Sequence, residues 1–356
     1  MATTILVPLD GSEFAERAVP FAAYLARRAG AEIALLRAVQ ARTFPGADPT
    51  DAEVKVTQEA EAALDQVAAS LRQQGIAAST HVYYDSATSA LTDALRAQHP
   101  DLVVMSTHGR SGIGRWLYGS VAEHVLHHAT MPVLLVPARC RREWKPDAIG
   151  PVVVGLDGSP LAEAALAPAA QLAAWLDTEL VLAEVIEPIV PVVTDGAAYV
   201  PPVDEEAELA AARQYLDSLT RDTRLGGHKA SVVTMVGDPA TLLVRIADER
   251  GAAAIALATH GRTGLARLVL GSVAVATLQR ADVPLLVYRP VEMRPQQAPA
   301  SPGEQSLQLA LSRSELAVVE RGLTTLLREG VSDTERTTAS ALLDRLRRLG
   351  AEPGGA

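Results

Sequence analysis

Two near-identical stretches of the chain combine glycine, serine and arginine in a pattern suited to holding a phosphate. The first reads THGRSGIGRWLYGS at 107–120, and the second reads THGRTGLARLVLGS at 259–272. In both, nine residues separate the glycine after the histidine from the closing Gly-Ser pair. Each stretch follows an apolar, strand-like run and precedes a helix-like run, so it offers backbone N–H groups and a helix dipole to an anion. The pattern predicts two phosphate sites; the alternative is two loops with ordinary helix-capping residues.

Asp10 and Asp157 form the second candidate pair, because each follows an apolar run and begins an Asp-Gly-Ser sequence. Ligands of open α/β sheets bind at the carboxyl ends of the strands, where a carboxylate can accept hydrogen bonds from both hydroxyls of a ribose. The alternative is an additional helix cap, but Ser12 and Ser159 fill that role better. We therefore expect both aspartates to contact a ligand.

The two glycine-containing stretches and the two aspartates belong to an internal repeat that covers most of the chain. The segment ILVPLDGS at 5–12 returns as VVVGLDGS at 152–159, and MPVLLVP at 131–137 returns as VPLLVYR at 283–289. In the first copy, apolar runs predict strands at 3–9, 32–39, 77–84, 102–107 and 132–137, with amphipathic helices between them. Such strands predict a parallel sheet covered on both faces, which is a doubly wound α/β fold in each copy.

The repeat defines the expected domain organisation. The first α/β domain is predicted at 1–140 and the second at 148–290. A linker rich in proline, glutamine and alanine follows at 291–305. Two leucine stripes then predict a small α-helical hairpin at 306–350, which is too small to be stable by itself.

Bulk composition excludes several classes of protein. Of the 356 residues, 48% are hydrophobic and 21% are charged, as in compact domains. The net charge of −10 disfavours binding to nucleic acid. Cys140 is the only cysteine, which excludes an intrachain disulfide and a cysteine-based zinc site. The N-terminus shows no leader pattern and no apolar run suits a membrane span, so we expect a cytoplasmic protein without membrane contact.

In combination, these motifs resemble the universal stress protein family in a tandem form, over residues 1 to about 290. The resemblance implies a five-stranded parallel sheet in each copy, with the first and fourth strands adjacent. It also implies an ATP site built on Gly-x-x-Gly, nine residues and Gly-Ser/Thr. The leading glycine of that pattern is Ser106 in the first copy and Ala258 in the second, where a positive φ would be strained.

The resemblance assigns nucleotide contacts to specific positions of both copies. In the first copy, the candidates are Leu9, Asp10, Ala38, Ser106, His108, Gly109, Arg110, Gly119, Ser120 and Val121. In the second copy, they are Leu156, Asp157, Val185, Ala258, His260, Gly261, Arg262, Gly271, Ser272 and Val273. Arg110 and Arg262 either neutralise phosphate charge or are ordinary surface arginines. The turn Gly237-Asp238-Pro239 is similar to the family's, so we expect the second site to be the more family-like.

His124, His127 and His128 have helical spacing, but the second copy has Ala276, Gln279 and Arg280 there, and we do not expect a metal site. The chain has no P-loop sequence.

The preferred function is a stress-type protein that binds ATP, or ADP or AMP, with Mg²⁺ at up to two sites. It would sense nucleotide and regulate a partner or an assembly, with slow ATP hydrolysis at most. One alternative is a nucleotide-free dimerisation scaffold. Another is an enzyme of phosphoryl or adenylyl transfer, although no catalytic group is apparent for it.

The tandem form also implies an internal pseudo-dimer. The last strands of the two copies, 132–137 and 284–289, are the expected antiparallel pair, because exposed sheet edges favour pairing. The helical hairpin would then join two chains into a homodimer.

Deleting the residues after Val291 tests the assembly role of the hairpin. If it joins two chains, the deletion should reduce the number of chains per particle from two to one, as calculated from the mass measured by light scattering. A particle that still contains two chains would remove that role.

Overall fold

Strands and helices alternate along both copies. The computed structural model describes residues 3–40, 49–107, 119–188, 193–194, 197–198, 204–259 and 271–290. The first copy contains β1 (Thr4–Pro8), α1 (Glu13–Glu16), α2 (Val19–Ala29), β2 (Glu32–Val39), α3 (Pro49–Gln73), β3 (Ala78–Tyr84), α4 (Ala87–Gln98), β4 (Leu102–Ser106), α5 (Ser120–His128) and β5 (Val133–Val136). The second copy contains β6 (Val152–Leu156), α6 (Pro160–Glu163), α7 (Leu166–Leu176), β7 (Leu180–Ile186), β8 (Val193–Thr194), β9 (Ala197–Ala198), α8 (Glu205–Leu219), the 3₁₀ helix η1 (Thr223–Leu225), β10 (Ala230–Val236), α9 (Pro239–Glu249), β11 (Ala254–Ala258), α10 (Ser272–Arg280) and β12 (Leu285–Tyr288).

The predicted doubly wound architecture is confirmed in both copies. In the first, β1 pairs in parallel with β2 and β4, β2 pairs with β3, and β4 pairs with β5. The second copy repeats this order as β10-β7-β6-β11-β12. The first and fourth strands of each copy are therefore neighbours, and the sheet has a switch point there. The strands β1 to β5 coincide with the five apolar runs in the sequence.

Both faces of the sheet are buried, which explains why the strands are apolar throughout. Along β1, the side chains of Ile5, Leu6 and Val7 are fully buried. Ile5 and Val7 pack with residues of α2 and α3, whereas Leu6 packs with residues of α4 and α5. Alternating side chains of one strand thus join the cores on the two faces of the sheet.

An antiparallel seam joins the two copies into one ten-stranded sheet. It pairs β5 with β12, with Leu134 opposite Leu286 at its centre. Both side chains are almost completely buried. The seam confirms the expected antiparallel pair of last strands and the internal pair of copies. It also satisfies the backbone groups of two strands that would otherwise be exposed sheet edges.

The segment between the copies adds a second contact through Trp144. Its ring meets Phe21 edge-on, with 4.9 Å between the ring centroids, and meets Tyr24 at 5.8 Å. Its indole N–H donates to the carbonyl of Ala253 over 3.0 Å. Phe21 and Tyr24 belong to α2 of the first copy, whereas Ala253 immediately precedes β11 of the second. Trp144 therefore links a helix of one copy to the residue before a strand of the other.

Several predicted features fall outside the described residues. These are the linker 291–305, the hairpin 306–350 and most of both glycine-containing loops, at 108–118 and 260–270. Among the helices that the structure describes, none has the length and apolar character needed to cross a bilayer.

Replacing Trp144 tests its contribution to the pairing of the copies. Trp144→Ala removes both ring contacts and leaves the carbonyl of Ala253 without its donor, so we expect the free energy of unfolding to fall by about 2–4 kcal/mol. Trp144→Phe keeps an aromatic ring but loses the hydrogen bond, so we expect the free energy of unfolding to fall by a smaller amount, about 1 kcal/mol. Urea unfolding of the purified variants measures both values. Equal stability of the alanine variant and the native chain would contradict the role of this side chain.

Candidate functional site

A cavity of about 340 Å³ opens at the carboxyl edge of the first copy, where β1, β2 and β4 end and α4 and α5 begin. Its lining includes every described residue of this copy that the sequence assigned to a nucleotide: Leu9, Asp10, Ala38, Ser106, Gly119, Ser120 and Val121. His108, Gly109 and Arg110 lie outside the described residues. The parallel topology thus brings together residues that are more than a hundred positions apart in sequence.

The Asp-Gly-Ser sequence forms a turn between β1 and α1 in which Asp10 has a structural role. Oδ1 of Asp10 accepts hydrogen bonds from the backbone N–H of Ser12 over 2.9 Å and from its hydroxyl over 2.6 Å. The hydroxyl oxygen of Ser12 in turn caps α1 by accepting from the N–H of Ala15 over 3.1 Å. The predicted N-cap at Ser12 is confirmed. The carboxylate of Asp10 braces this cap and also lines the cavity.

The start of α5 contributes polar backbone groups to the cavity wall. Gly119 is the N-cap residue and supplies no side-chain acceptor to the helix. The first backbone hydrogen bond of the helix runs from the N–H of Glu123 to the carbonyl of Gly119. The N–H groups of Ser120, Val121 and Ala122 precede it, and all three residues line the cavity. A helix start of this kind attracts an anion through its N–H groups and its dipole.

The glycines that end the two loops have ordinary negative φ angles. Gly119 has φ −69° and Gly271 has φ −58°, so neither position requires a positive φ. A Cβ on Gly119 would lie 3.6 Å from the carbonyl oxygen of Thr107, an ordinary contact. What glycine provides here is therefore the absence of a side chain over the helix start.

Ser106 and Ala258, which replace the leading glycines, also fit without strain. They are the last residues of β4 and β11, and the described non-glycine residues with positive φ are His99 and Asp177 only. The strain expected from a positive φ at Ser106 or Ala258 does not arise, because both residues continue a strand.

The second copy repeats the turn and the helix start. Oδ1 of Asp157 accepts from the N–H of Ser159 over 3.0 Å and from its hydroxyl over 2.6 Å, and Ser159 caps α6 as predicted. Gly271 is the N-cap residue of α10 and again supplies no side-chain acceptor. The remaining described candidates lie at strand ends or at this helix start: Leu156, Val185, Ala258, Ser272 and Val273. His260, Gly261 and Arg262 lie outside the described residues.

Electrostatics distinguish the second site from the first. Glu184 lies two residues before the end of β7 and close to Asp157. Its Oε2 atom is buried and has no hydrogen-bond partner among the described residues. Burial, followed by the negative charge of Asp157, raises the pKa of Glu184 above its ordinary range. The equivalent position of the first copy is Arg37.

Sequence reasoning missed the apolar wall of the cavity. Leu36, Leu91 and Met105 line it together with Pro8. The alternation of side chains along a strand offers a signal for Leu36, which lies two residues before the predicted contact Ala38 and on the same face. Leu91 on α4 has no comparable signal, because its position depends on how the helix packs over the sheet.

The three histidines of α5 pack on one another at the far end of the helix from the cavity. The rings of His124 and His128 stack with 4.0 Å between their centroids, and Nε2 of His124 lies 2.8 Å from the hydroxyl of Thr92. Burial and the neighbouring imidazoles of His128 and His127 lower the pKa of His124. The described part of the chain contains no group of three His, Cys, Asp or Glu side chains placed to hold a metal.

Comparison with known proteins identifies the chain. The profile of the universal stress protein family matches residues 1–137 and again residues 149–289. The chain belongs to the universal stress protein family. Its two copies are tandem universal stress protein repeats, as the sequence motifs predicted.

Individual relatives agree with this assignment. A universal stress protein of Mycolicibacterium smegmatis is 30% identical over 296 residues, which cover 80% of this chain and 97% of the relative. A universal stress protein of Mycobacterium tuberculosis is 32% identical over 189 residues. That match spans 53% of this chain and 62% of the relative's length.

Solved structures show the same tandem fold. The crystal structure of a universal stress protein from Archaeoglobus fulgidus aligns with a TM-score of 0.58 at 22% identity, and covers 80% of this chain and 98% of that one. At this identity, the likeness shows the fold alone. The universal stress protein fold is thus common to this chain and that structure.

The packing of His124 predicts a pH dependence of stability in this universal stress protein. Because its pKa is below the ordinary 6.5 in the folded state, the unfolded chain takes up a proton first as the pH falls. The free energy of unfolding should therefore decrease as the pH falls from about 7 to about 5. His124→Gln should make stability less dependent on pH over this range. His128→Gln, which removes one of the two neighbouring imidazoles, should reduce this dependence less. Thermal unfolding across this range measures the slopes, and identical slopes for His124→Gln and the native chain would refute the assignment.

Proposed function

We propose that the protein binds an adenine nucleotide in the cavity of its first copy and that occupancy regulates a partner or an assembly during stress. The observation that carries the proposal is the uncapped start of α5, which forms one wall of the same cavity as Asp10 and the apolar residues of β2 and β4. In this proposal the protein acts in the cytoplasm and is not a rapid enzyme.

The phosphates occupy the polar end of the cavity. The N–H groups of Ser120, Val121 and Ala122 and the hydroxyl of Ser120 supply donors, and the dipole of α5 supplies positive potential. Gly119 leaves room for the phosphates to approach the backbone.

The nucleoside occupies the rest of the cavity. The carboxylate of Asp10 accepts from ribose hydroxyls, while Leu36, Leu91 and Met105 surround the base with apolar surface. A volume of about 340 Å³ lies within the range of roughly 300–1,000 Å³ typical of small-molecule sites.

ATP is the preferred form of the nucleotide, with ADP and AMP as alternatives. Mg²⁺ would be held chiefly by the phosphates, since Asp10 is the only carboxylate among the described residues that line the cavity. This donor set fits a metal that enters with its nucleotide.

The seam between β5 and β12 supports a second candidate, a nucleotide-free scaffold. Its buried pairs give the tandem copies a stable arrangement that needs no ligand. In that case the cavity would be a consequence of the fold, and the protein would act through its assembly alone.

Isothermal titration of nucleotide-stripped protein with Mg-ATP tests the two candidates. We expect binding, and we expect Gly119→Val to weaken it by at least about tenfold, because two methyl groups then cover the helix start. Gly119→Ala is the matched control: its Cβ makes an ordinary contact and should cost much less affinity. Circular dichroism should show both variants folded, since the φ of −69° suits any residue.

The scaffold candidate predicts a different result. The native chain would then give no heat with ATP, ADP or AMP, and Gly119→Val would behave like the native protein.

A further inference from the structure

The two copies carry opposite charges at one matched position near the Asp-Gly-Ser turn. This position is Arg37 in β2 and Glu184 in β7. Each lies one residue before a predicted nucleotide contact, Ala38 or Val185. With Asp10 and Asp157 included, the local formal charge is zero in the first copy and −2 in the second.

Both side chains lie directly beside the turn. Gly11 has φ 78°, and a Cβ on it would lie 2.8 Å from Nη2 of Arg37. Gly158 has φ 77°, and a Cβ on it would lie 3.9 Å from Oε1 of Glu184. In each copy, this side chain is therefore close enough to interact electrostatically with the aspartate of the turn, Asp10 or Asp157, which would contact a ribose.

Among the described residues, no lysine or arginine forms a salt bridge with Glu184. The neighbouring hydroxyl of Tyr215 donates to Oε1 of Glu163 over 3.1 Å, which brings a third carboxylate into the group. Burial and then the charges of Glu163, Glu184 and Asp157 raise the pKa of Tyr215. The nearby guanidinium of Arg224 already pairs with Glu163 at 2.6 Å and with Asp222 at 2.7 Å.

Some residues near the second site also differ in size from their counterparts in the first copy. Val185 stands where the first copy has Ala38, and Gly155 stands where it has Pro8. A Cβ on Gly155 would lie 2.5 Å from Leu257 and 3.0 Å from Leu243, so these side chains pack directly against the backbone of β6. Their counterparts, Met105 and Leu91, line the open cavity of the first copy.

We propose that Arg37 and Glu184 determine which copy accepts a nucleoside polyphosphate. Arg37 offsets the charge of Asp10 and leaves the first site open to phosphates, whereas Glu184 beside Asp157 repels them from the second. This inference rests on the proposed nucleotide binding. It reverses the expectation that the second site is the more family-like, because that expectation considered only the turn at Gly237.

A charge exchange in the full-length chain tests the inference by titration with Mg-ATP. We expect the native chain to bind one nucleotide. Arg37→Glu should weaken that binding by at least about tenfold. Glu184→Arg should add a second bound nucleotide, and Glu184→Gln, which keeps the size and removes the charge, should add weaker binding. Thermal unfolding confirms that each variant is folded.

Two further measurements locate the effect and identify its cause. In a chain that also carries Gly119→Val, Glu184→Arg should restore one bound ATP, because the new site lies in the second copy. Adenosine has no phosphate, so its binding should respond much less to either charge change.

The outcomes separate this inference from the proposed function. Two equal sites in the native chain, or one site that Glu184→Arg and Glu184→Gln leave unchanged, would overturn the inference and leave nucleotide binding intact. No binding in any variant would instead overturn the proposed function.

Discussion

The antiparallel contact between β5 and β12 is the constraint on which the rest of this structure depends. Each copy ends in a strand whose outer edge would otherwise expose its N–H and C=O groups, and the seam satisfies both edges at once. Because the pairing is antiparallel, the two half-sheets run in opposite directions. Their carboxyl edges, and with them the two Asp-Gly-Ser turns, face opposite ends of the sheet. Trp144 reinforces this arrangement from outside the sheet.

Within each copy, the switch between the first and fourth strands generates the site. The end of β1 supplies a carboxylate braced by a serine cap, and the residues after β4 lead to a helix whose first N–H groups have no side-chain cap. The N–H of Gly119 donates to the carbonyl of Thr107 over 2.8 Å, which closes the base of the intervening loop. A polar helix start therefore meets an apolar wall in one cavity, which is an arrangement suited to a ligand with a charged end and a flat apolar end.

Much of the fold followed from local patterns. Apolar runs located β1 to β5, Ser12 and Ser159 marked helix starts, and the repeat indicated the seam. Three features depended on packing instead. The strain expected at Ser106 is absent because β4 continues through it, Leu91 reaches the cavity from a helix, and the opposite charges of Arg37 and Glu184 matter only because β2 and β7 place them beside a turn. The sequence contains these residues, but only the fold shows what surrounds them.

Joining both copies in one chain has a consequence for symmetry. In a homodimer, every substitution appears twice, so an arginine beside one turn requires an arginine beside the other. Here the seam unites two different sequences, and one half can change its side chains while the other keeps them. The opposite charges of Arg37 and Glu184 at one matched position are an example of such divergence. The two halves of a tandem chain can therefore acquire different roles. They are always present in a one-to-one ratio, whatever the concentration of the protein.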